Sequence, residues 1–339
     1  MTKLAKDLLN WFETHGRKNF PWQSNPPNVY HIWVSEVMLQ QTQVITATGY
    51  FNRFLKIFPD IEALANAKED KVMAEWAGLG YYSRALNLHK AAKIITSKYG
   101  GIFPKSFEEI VSLPGIGPST AGAILSLGSN IKAPILDGNV KRVLSRYHRV
   151  EGHYSKGSVT KELWKLAVLH TPSTKNAKYT QAIMDLGATT CTPKNPNCES
   201  CPISSHCSAC LNNEQEIFPH KRQKMLSRPE RNTAFLIFKN EKQEVFLKRR
   251  PSQGIWGGLW SFEECQDKES IIAQKIKQHN TNATIQRRLE KFKHGFTHYD
   301  LWISPVLIDS PGGSGNYYKK AGLSKGVPAP VKKIIHSLE

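Results

Sequence analysis

The sequence predicts two domains of different class: an all-α domain over residues 1–211 and a smaller α+β domain over residues 231–339. Three observations predict this. Apolar residues recur at spacings of three and four through the first 210 residues. Short loops such as Pro26-Pro27, Gly78-Leu79-Gly80, Gly100-Gly101 and Pro114-Gly115 cut that pattern into helix-sized pieces. After Cys210 the period changes, and strand-like runs replace the helical ones.

In order along the chain, Leu4-Leu8-Trp11-Phe12, Val34-Val37-Met38, Leu86-His89-Ala92-Ile95 and Leu163-Leu166-Ala167 each mark one face of a helix. No convincing strand interrupts them. Residues 212–230 are polar and basic with Pro219 and Pro229, which suits a linker. Strands are expected over Thr233–Phe238, Glu244–Leu247, Leu289–Phe292 and His298–Leu307. Helices are expected over Ser270–His279 and from Pro330 to Leu338.

Composition bounds the partner. Hydrophobic residues make up 40% of the 339, enough for a sizeable core. The longest apolar runs, such as Ala121 to Leu127, fall far short of the ~20 residues a membrane helix needs. Neither a membrane partner nor a signal peptide is expected, and the expected location is the cytoplasm, at the nucleoid if the source is bacterial. Lys and Arg number 46 against 28 Asp and Glu, a formal net charge of +18 shared by both halves of the chain. An excess of this size leans toward nucleic acid, because neutralising phosphates releases counterions.

Four cysteines fall within 17 residues as Cys191-x6-Cys198-x2-Cys201-x5-Cys207. In a chain without a secretory signal this is a metal site rather than a disulfide framework. Zinc usually takes two short C-x-x-C pairs, whereas a [4Fe–4S] cluster tolerates wider spacing. Only one short pair is present, which favours iron–sulfur and leaves zinc as the alternative. Cys210 lies close behind as a spare or substitute thiol, and Cys265 is structural by default. Lys194, in the loop between the first two cysteines, is placed to meet a phosphate.

Leu113-Pro-Gly-Ile-Gly-Pro-Ser-Thr-Ala-Gly-Ala-Ile-Leu125 reads as helix, tight hairpin, helix. Gly115 and Gly117 permit positive φ and close backbone approach, and the N–H groups opening the second helix suit a DNA phosphate.

Two carboxylates stand out. In Ile32–Val44, the residues Val34, Val37, Met38 and Gln41 mark one helical face, and Glu36, Gln40 and Gln43 the other. Glutamines beside a carboxylate make a hydrogen-bonding edge suited to nucleobases. Asp137 stands at the start of the helix marked by Val140, Val143, Leu144 and Tyr147, where an N-cap role alone would explain it. As a pair, the two acids suit glycosidic cleavage: a protonated acid for the leaving group and an ionised one facing an oxocarbenium-like sugar.

Ser35-Glu-Val-Met-Leu-Gln-Gln-Thr-Gln43, Gly78-Leu-Gly-Tyr-Tyr82, Leu113-Pro-Gly-Ile-Gly117, Asp137-Gly-Asn-Val140 and the four cysteines occur in that order. Together they resemble the MutY-type adenine DNA glycosylases of the helix-hairpin-helix superfamily, over nearly the whole chain. The resemblance implies an all-α helix-hairpin-helix glycosylase domain (1–211) with its hairpin at 113–125 and a [4Fe–4S] loop at 191–207. It implies a basic linker at 212–230 and an α+β, Nudix-like (MutT-like) domain at 231–339 that recognises 8-oxoguanine. The implied partner is double-stranded DNA carrying 8-oxoguanine:adenine or guanine:adenine mispairs, met by a monomer.

By the same resemblance, Glu36 protonates adenine and later helps activate water, Asp137 stabilises the sugar cation, and Asn139 assists. Gln181 matches a position near the adenine pocket, Gln40 and Thr42 are expected to bind substrate, and Gln41 and Tyr82 wedge into the stack, although Tyr82 also reads as a core aromatic. Ser119 stands where lyases of the endonuclease III type carry a Schiff-base lysine, so a monofunctional glycosylase is implied. Phe246–Trp260 resembles part of the Nudix fold, with Trp256 and Trp260 as core aromatics. Ser270–Gln278 carries no acid to hold Mg²⁺ for pyrophosphatase chemistry. Phe296-Thr297-His298 matches the loop assigned to the 8-oxoguanine side, with threonine in place of serine.

Overall fold

The computed structural model describes residues 1–221, 228–296 and 298–338. The chain divides into two compact units, Met1–Asn66 with Asn87–Gln223, and Ala67–Leu86 with Lys224–Glu339. No helix among the described residues is long and apolar enough to cross a membrane.

The first unit is helical, with no strand among its described residues. Its first helix, Lys3–His15, opens on Thr2, whose hydroxyl accepts the Ala5 N–H, and buries Leu4, Leu8 and Phe12. The helix Val29–Leu39 is capped by the Asn28 side chain. It buries Tyr30, Ile32, Trp33, Val34, Val37 and Met38 and so runs through the interior. It ends at Leu39, before the three glutamines have all been used. Gln40 is its C-cap, Gln41 is left-handed at φ 58°, and Gln43 caps the next helix, Val44–Ile57. The expected sharing of one helical face by Glu36, Gln40 and Gln43 therefore fails.

The hairpin joins Phe107–Val111 to Pro118–Ser129. Gly115 takes φ 78°, but Gly117 is extended and serves as the N-cap of the second helix. Only one of the two glycines uses the positive-φ freedom expected of both. Gly122 in that second helix presses on the Pro134 carbonyl, with no room for a Cβ. Contact this close seats the segment leading to Asp137 and the helix Gly138–His148.

In the second unit, β1 (Glu230–Lys239) pairs in parallel with β8 (Asp300–Asp309) along its whole length. Antiparallel to β1 lie β2 (Val245–Phe246) and β5 (Glu263–Cys265). β9 (Tyr317–Tyr318) continues the sheet from β2. β3 (Lys248–Arg249) and β4 (Trp260–Ser261) form a separate ribbon. The expected strand Leu289–Phe292 spans a break. β6 (Thr284–Arg288) and β7 (Phe292–Gly295) pair with β8 on either side of Pro305, which has no N–H to give a ladder. The helix Glu269–His279 lays Ile272 and Ile276 on Ala234, Leu236 and Phe238. It begins one residue before the acid-free run, and its Glu269 is held by Arg288.

The single cut expected near residue 211 misses one exchange. The helix Glu69–Trp76 packs in the second unit, where Trp260 Nε1 and Lys325 Nζ both donate to Asp70, at 3.1 and 2.6 Å. Trp260 is accordingly only partly buried, while Trp256 is a core residue as expected. Periodicity shows that 69–76 is a helix but not what it packs on.

Candidate active site and cluster loop

Glu36, Gln40, Thr42, Ser119, Asp137, Asn139 and Gln181 line one pocket of about 290 Å³ in the first unit. Arg17, Phe20, Trp22, Thr120 and Met184 are among the other residues of its wall. Seven residues chosen from sequence thus meet at one place, although they come from four helices and the turns beside them.

Asp137 is both an N-cap and a pocket acid. Its Oδ1 accepts the Val140 N–H at 2.8 Å, and its Oδ2 accepts Asn139 Nδ2 at 3.3 Å. Burial raises its pKa, against the pull of these donors and of Arg142. Glu36 has no such set of donors. Burial, with the Asp137 charge second, pushes its pKa up to about 7. One environment thus keeps Glu36 protonated near neutrality, while the other gives Asp137 donors that favour its ionised form against burial.

Asn139 is held on its other side. Arg142 Nη2 donates to Asn139 Oδ1 at 2.9 Å and to the Gly187 carbonyl at 2.6 Å, and Arg142 Nε donates to the Cys191 carbonyl at 2.7 Å. A Cβ on Gly187 would lie 2.6 Å from Asn139 Cβ, so only glycine lets the helix Asn176–Thr189 pass so close. Gln181 donates to Asp185 Oδ1 at 2.9 Å and receives Gln23 Nε2 at 3.3 Å. Asp185 is fully buried and paired with Arg17 at 2.7 Å. Ser119 Oγ accepts the Leu136 N–H at 3.0 Å, bracing the segment before Asp137. Gln40 Nε2 reaches Thr120 Oγ1 at 3.4 Å.

Sequence reasoning missed Arg17, Gln23, Arg142 and Asp185. The only available signal was the four-residue step from Gln181 to Asp185, which puts amide and carboxylate on one helix face.

Gln41 does not line the pocket; it is exposed beside it. Tyr82 contradicts the wedge assignment. It is 8% exposed, and its hydroxyl accepts the Gly78 N–H at 3.2 Å. Its neighbour Tyr81 is 46% exposed and left-handed at φ 49°. The loop is locked from inside. Arg84 Nη2 donates to the carbonyls of Leu79 and Gly80, and Trp76 Nε1 donates to Gly80. In adjacent tyrosines the sequence could not say which one faces out.

Phe296 is partly buried, stacked on Tyr299 with centroids 4.8 Å apart, and His298 is exposed; Thr297 lies outside the described residues. Lys194 is exposed on its loop.

The four cysteines ring one small enclosed cavity with Val143, Arg146 and Ile203. Four thiols around one cavity are the donor set of a four-thiolate cluster. Arg146 Nη1 donates to Cys191 Sγ at 3.3 Å, the Ile203 N–H points at Cys201, and the N–H groups of Ala209 and Cys210 point at Cys207. These donors favour thiolates, so the donor set fits the group.

Comparison with known proteins agrees with the geometry. Residues 34–168 match the HhH-GPD superfamily of base excision DNA repair proteins, residues 233–337 match the NUDIX domain, and residues 191–207 match the iron–sulfur binding domain of endonuclease III. The cofactor of the loop is a [4Fe–4S] cluster. A thermostable thymine-DNA glycosylase aligns at TM-score 0.54 and 27% identity, over 62% of this chain and 95% of that one. An endonuclease III–DNA complex aligns at 0.53 and 19%, over 62% and 94%, a likeness of fold alone. The adenine DNA glycosylase of Homo sapiens is 30% identical over 89% of this chain and 66% of its own. That of Buchnera aphidicola subsp. Acyrthosiphon pisum is 40% identical over 100% of this chain and 99% of its own. On that full-length match, the chain belongs to the adenine DNA glycosylase family.

Proposed function

We propose that the protein hydrolyses the N-glycosidic bond of adenine lying opposite 8-oxoguanine or guanine in duplex DNA, with Glu36 as acid and Asp137 as the charge facing the sugar. The observation that carries this reading is the split between two acids in one pocket: Glu36 with a pKa near 7, and Asp137 surrounded by donors. A purine must leave the stack to enter a pocket of this size. Protonated Glu36 donates to the departing adenine. As the bond lengthens, positive charge grows on the sugar and ionised Asp137 stabilises it. Glu36, now ionised, takes a proton from the attacking water. Asn139 holds the Asp137 carboxylate, and Gln181, fixed by Asp185 and Gln23, offers its amide edge to the base.

No lysine replaces Ser119, whose hydroxyl is engaged with Leu136, so base removal without strand cleavage follows from the same pocket. The wedge role passes from Tyr82 to the exposed Tyr81, with Gln41 beside the pocket mouth. Phe296, Thr297 and His298 serve the 8-oxoguanine side, and Gly115, Gly117 and Lys194 the phosphates. The protein acts as a monomer on chromosomal DNA.

The test is adenine release from duplexes with adenine opposite 8-oxoguanine, guanine or thymine, by wild type and Glu36→Gln. Release opposite the first two and not thymine, lost in the variant, is expected. Turnover by Glu36→Gln at the wild-type rate would remove the assignment.

A further inference from the structure

A fifth thiol stands at the cluster cavity. Cys210 follows Cys207 by the same C-x2-C step that separates Cys198 from Cys201. It lines the cavity together with Cys191, Cys198, Cys201 and Cys207. Cys198 and Cys210 lie on the same small cavity, near enough for their thiols to interact. Its backbone is anchored as well. The Cys210 N–H points at the Cys207 sulfur, and its carbonyl accepts the Asn213 N–H at 3.1 Å. Next to it, Ala209 is fully buried against Phe218, and its carbonyl accepts the Glu214 N–H at 2.7 Å. Cys210 is thus held beside one particular ligand rather than adrift near the loop.

A cluster corner asks for one thiolate, and its chemistry does not distinguish which cysteine supplies it. Two thiols on one small cavity can exchange that duty by side-chain rotation. We propose that Cys210 is a reserve ligand for the corner served by Cys198, holding the cluster when Cys198 is lost to oxidation or substitution. The exchange balances in protons alone: Cys210 gives up its thiol proton as it binds, and a displaced intact Cys198 takes one up. A Cys198 oxidised by peroxide to the sulfinic acid no longer ligates, and the corner passes to Cys210. The inference rests on the cluster and not on which base the enzyme removes.

The test uses the full chain, purified without oxygen, with iron and acid-labile sulfide counted per chain and absorbance read near 400 nm. Four variants are compared with wild type: Cys198→Ala, Cys201→Ala, Cys210→Ala and the double Cys198→Ala/Cys210→Ala. Cys210→Ala and Cys198→Ala are expected to keep most of the wild-type iron. Cys201→Ala, with no spare thiol beside it, and the double variant are expected to lose about tenfold. A second measurement needs no change at Cys198: under hydrogen peroxide, the absorbance of Cys210→Ala bleaches several-fold faster than that of wild type. Loss of iron from Cys198→Ala to the level of the double variant, or equal bleaching of wild type and Cys210→Ala, overturns the proposal.

Discussion

Arg142 Nη2 donates to Asn139 Oδ1 across 2.9 Å, and this bond fixes which end of the Asn139 amide faces Asp137. With its oxygen taken by a guanidinium, Asn139 turns its Nδ2 to Asp137 Oδ2. The same guanidinium reaches the carbonyl of Cys191, so the cluster loop and the pocket share one side chain. Replacing Arg142 by Gln leaves buried carbonyls short of a donor and frees Asn139 to flip. We expect single-turnover adenine release to fall at least tenfold, and the melting temperature to fall by the loss of about 2–3 kcal/mol. Unchanged release with iron intact would show that Asn139 needs no such anchor.

Gly187→Ala tests the same corner from the opposite side. The new Cβ meets the Asn139 Cβ and Cα, at 2.6 and 3.1 Å, so the helix carrying Asp137 must shift. A displacement of a few tenths of an ångström costs rate before affinity. Single-turnover kinetics should show kcat lowered about tenfold with duplex binding little changed.

Glu36 makes the fold pay for its chemistry. Its pKa is near 7 in the native state and about 4.3 in an unfolded chain. A raised folded pKa gives stability that is full below the unfolded value and lost as pH rises through 7. At pH 8 the ionised carboxylate therefore costs up to about 4 kcal/mol, which Glu36→Gln avoids. Thermal melts should show the variant gaining on wild type at pH 8, with little difference at pH 4.

Adjacent tyrosines separate structure from recognition. Tyr82→Phe removes the acceptor for the Gly78 N–H and should lower stability by about 1 kcal/mol. Tyr81→Ala removes a half-exposed ring that lies beneath the Arg84 guanidinium, so it should cost no more than about 1 kcal/mol of stability yet weaken binding to mispaired duplex. Weaker binding by Tyr82→Phe and not Tyr81→Ala would return the wedge to residue 82.

How much of this was legible beforehand follows the range of each interaction. The two fold classes, the cysteine loop and the pair Glu36 and Asp137 each leave a local trace in spacing or period. The end of the helix at Leu39 left none, because Gln40 and Gln41 are ordinary helix formers. Nor did the partnership of Glu69–Trp76 with Trp260 and Lys325, which lie 190 and 255 residues from Asp70. Arg142 was hidden because a basic residue in a basic chain reads as surface until its three acceptors are seen.

The proton held by Glu36 is the centre of the account, and a pH–rate profile reaches it most directly. The measurement is single-turnover adenine release from an 8-oxoguanine:adenine duplex from pH 5 to pH 9 at fixed ionic strength. Above pH 7 the rate should fall about tenfold per unit. A rate that stays flat or rises through pH 9 would contradict it.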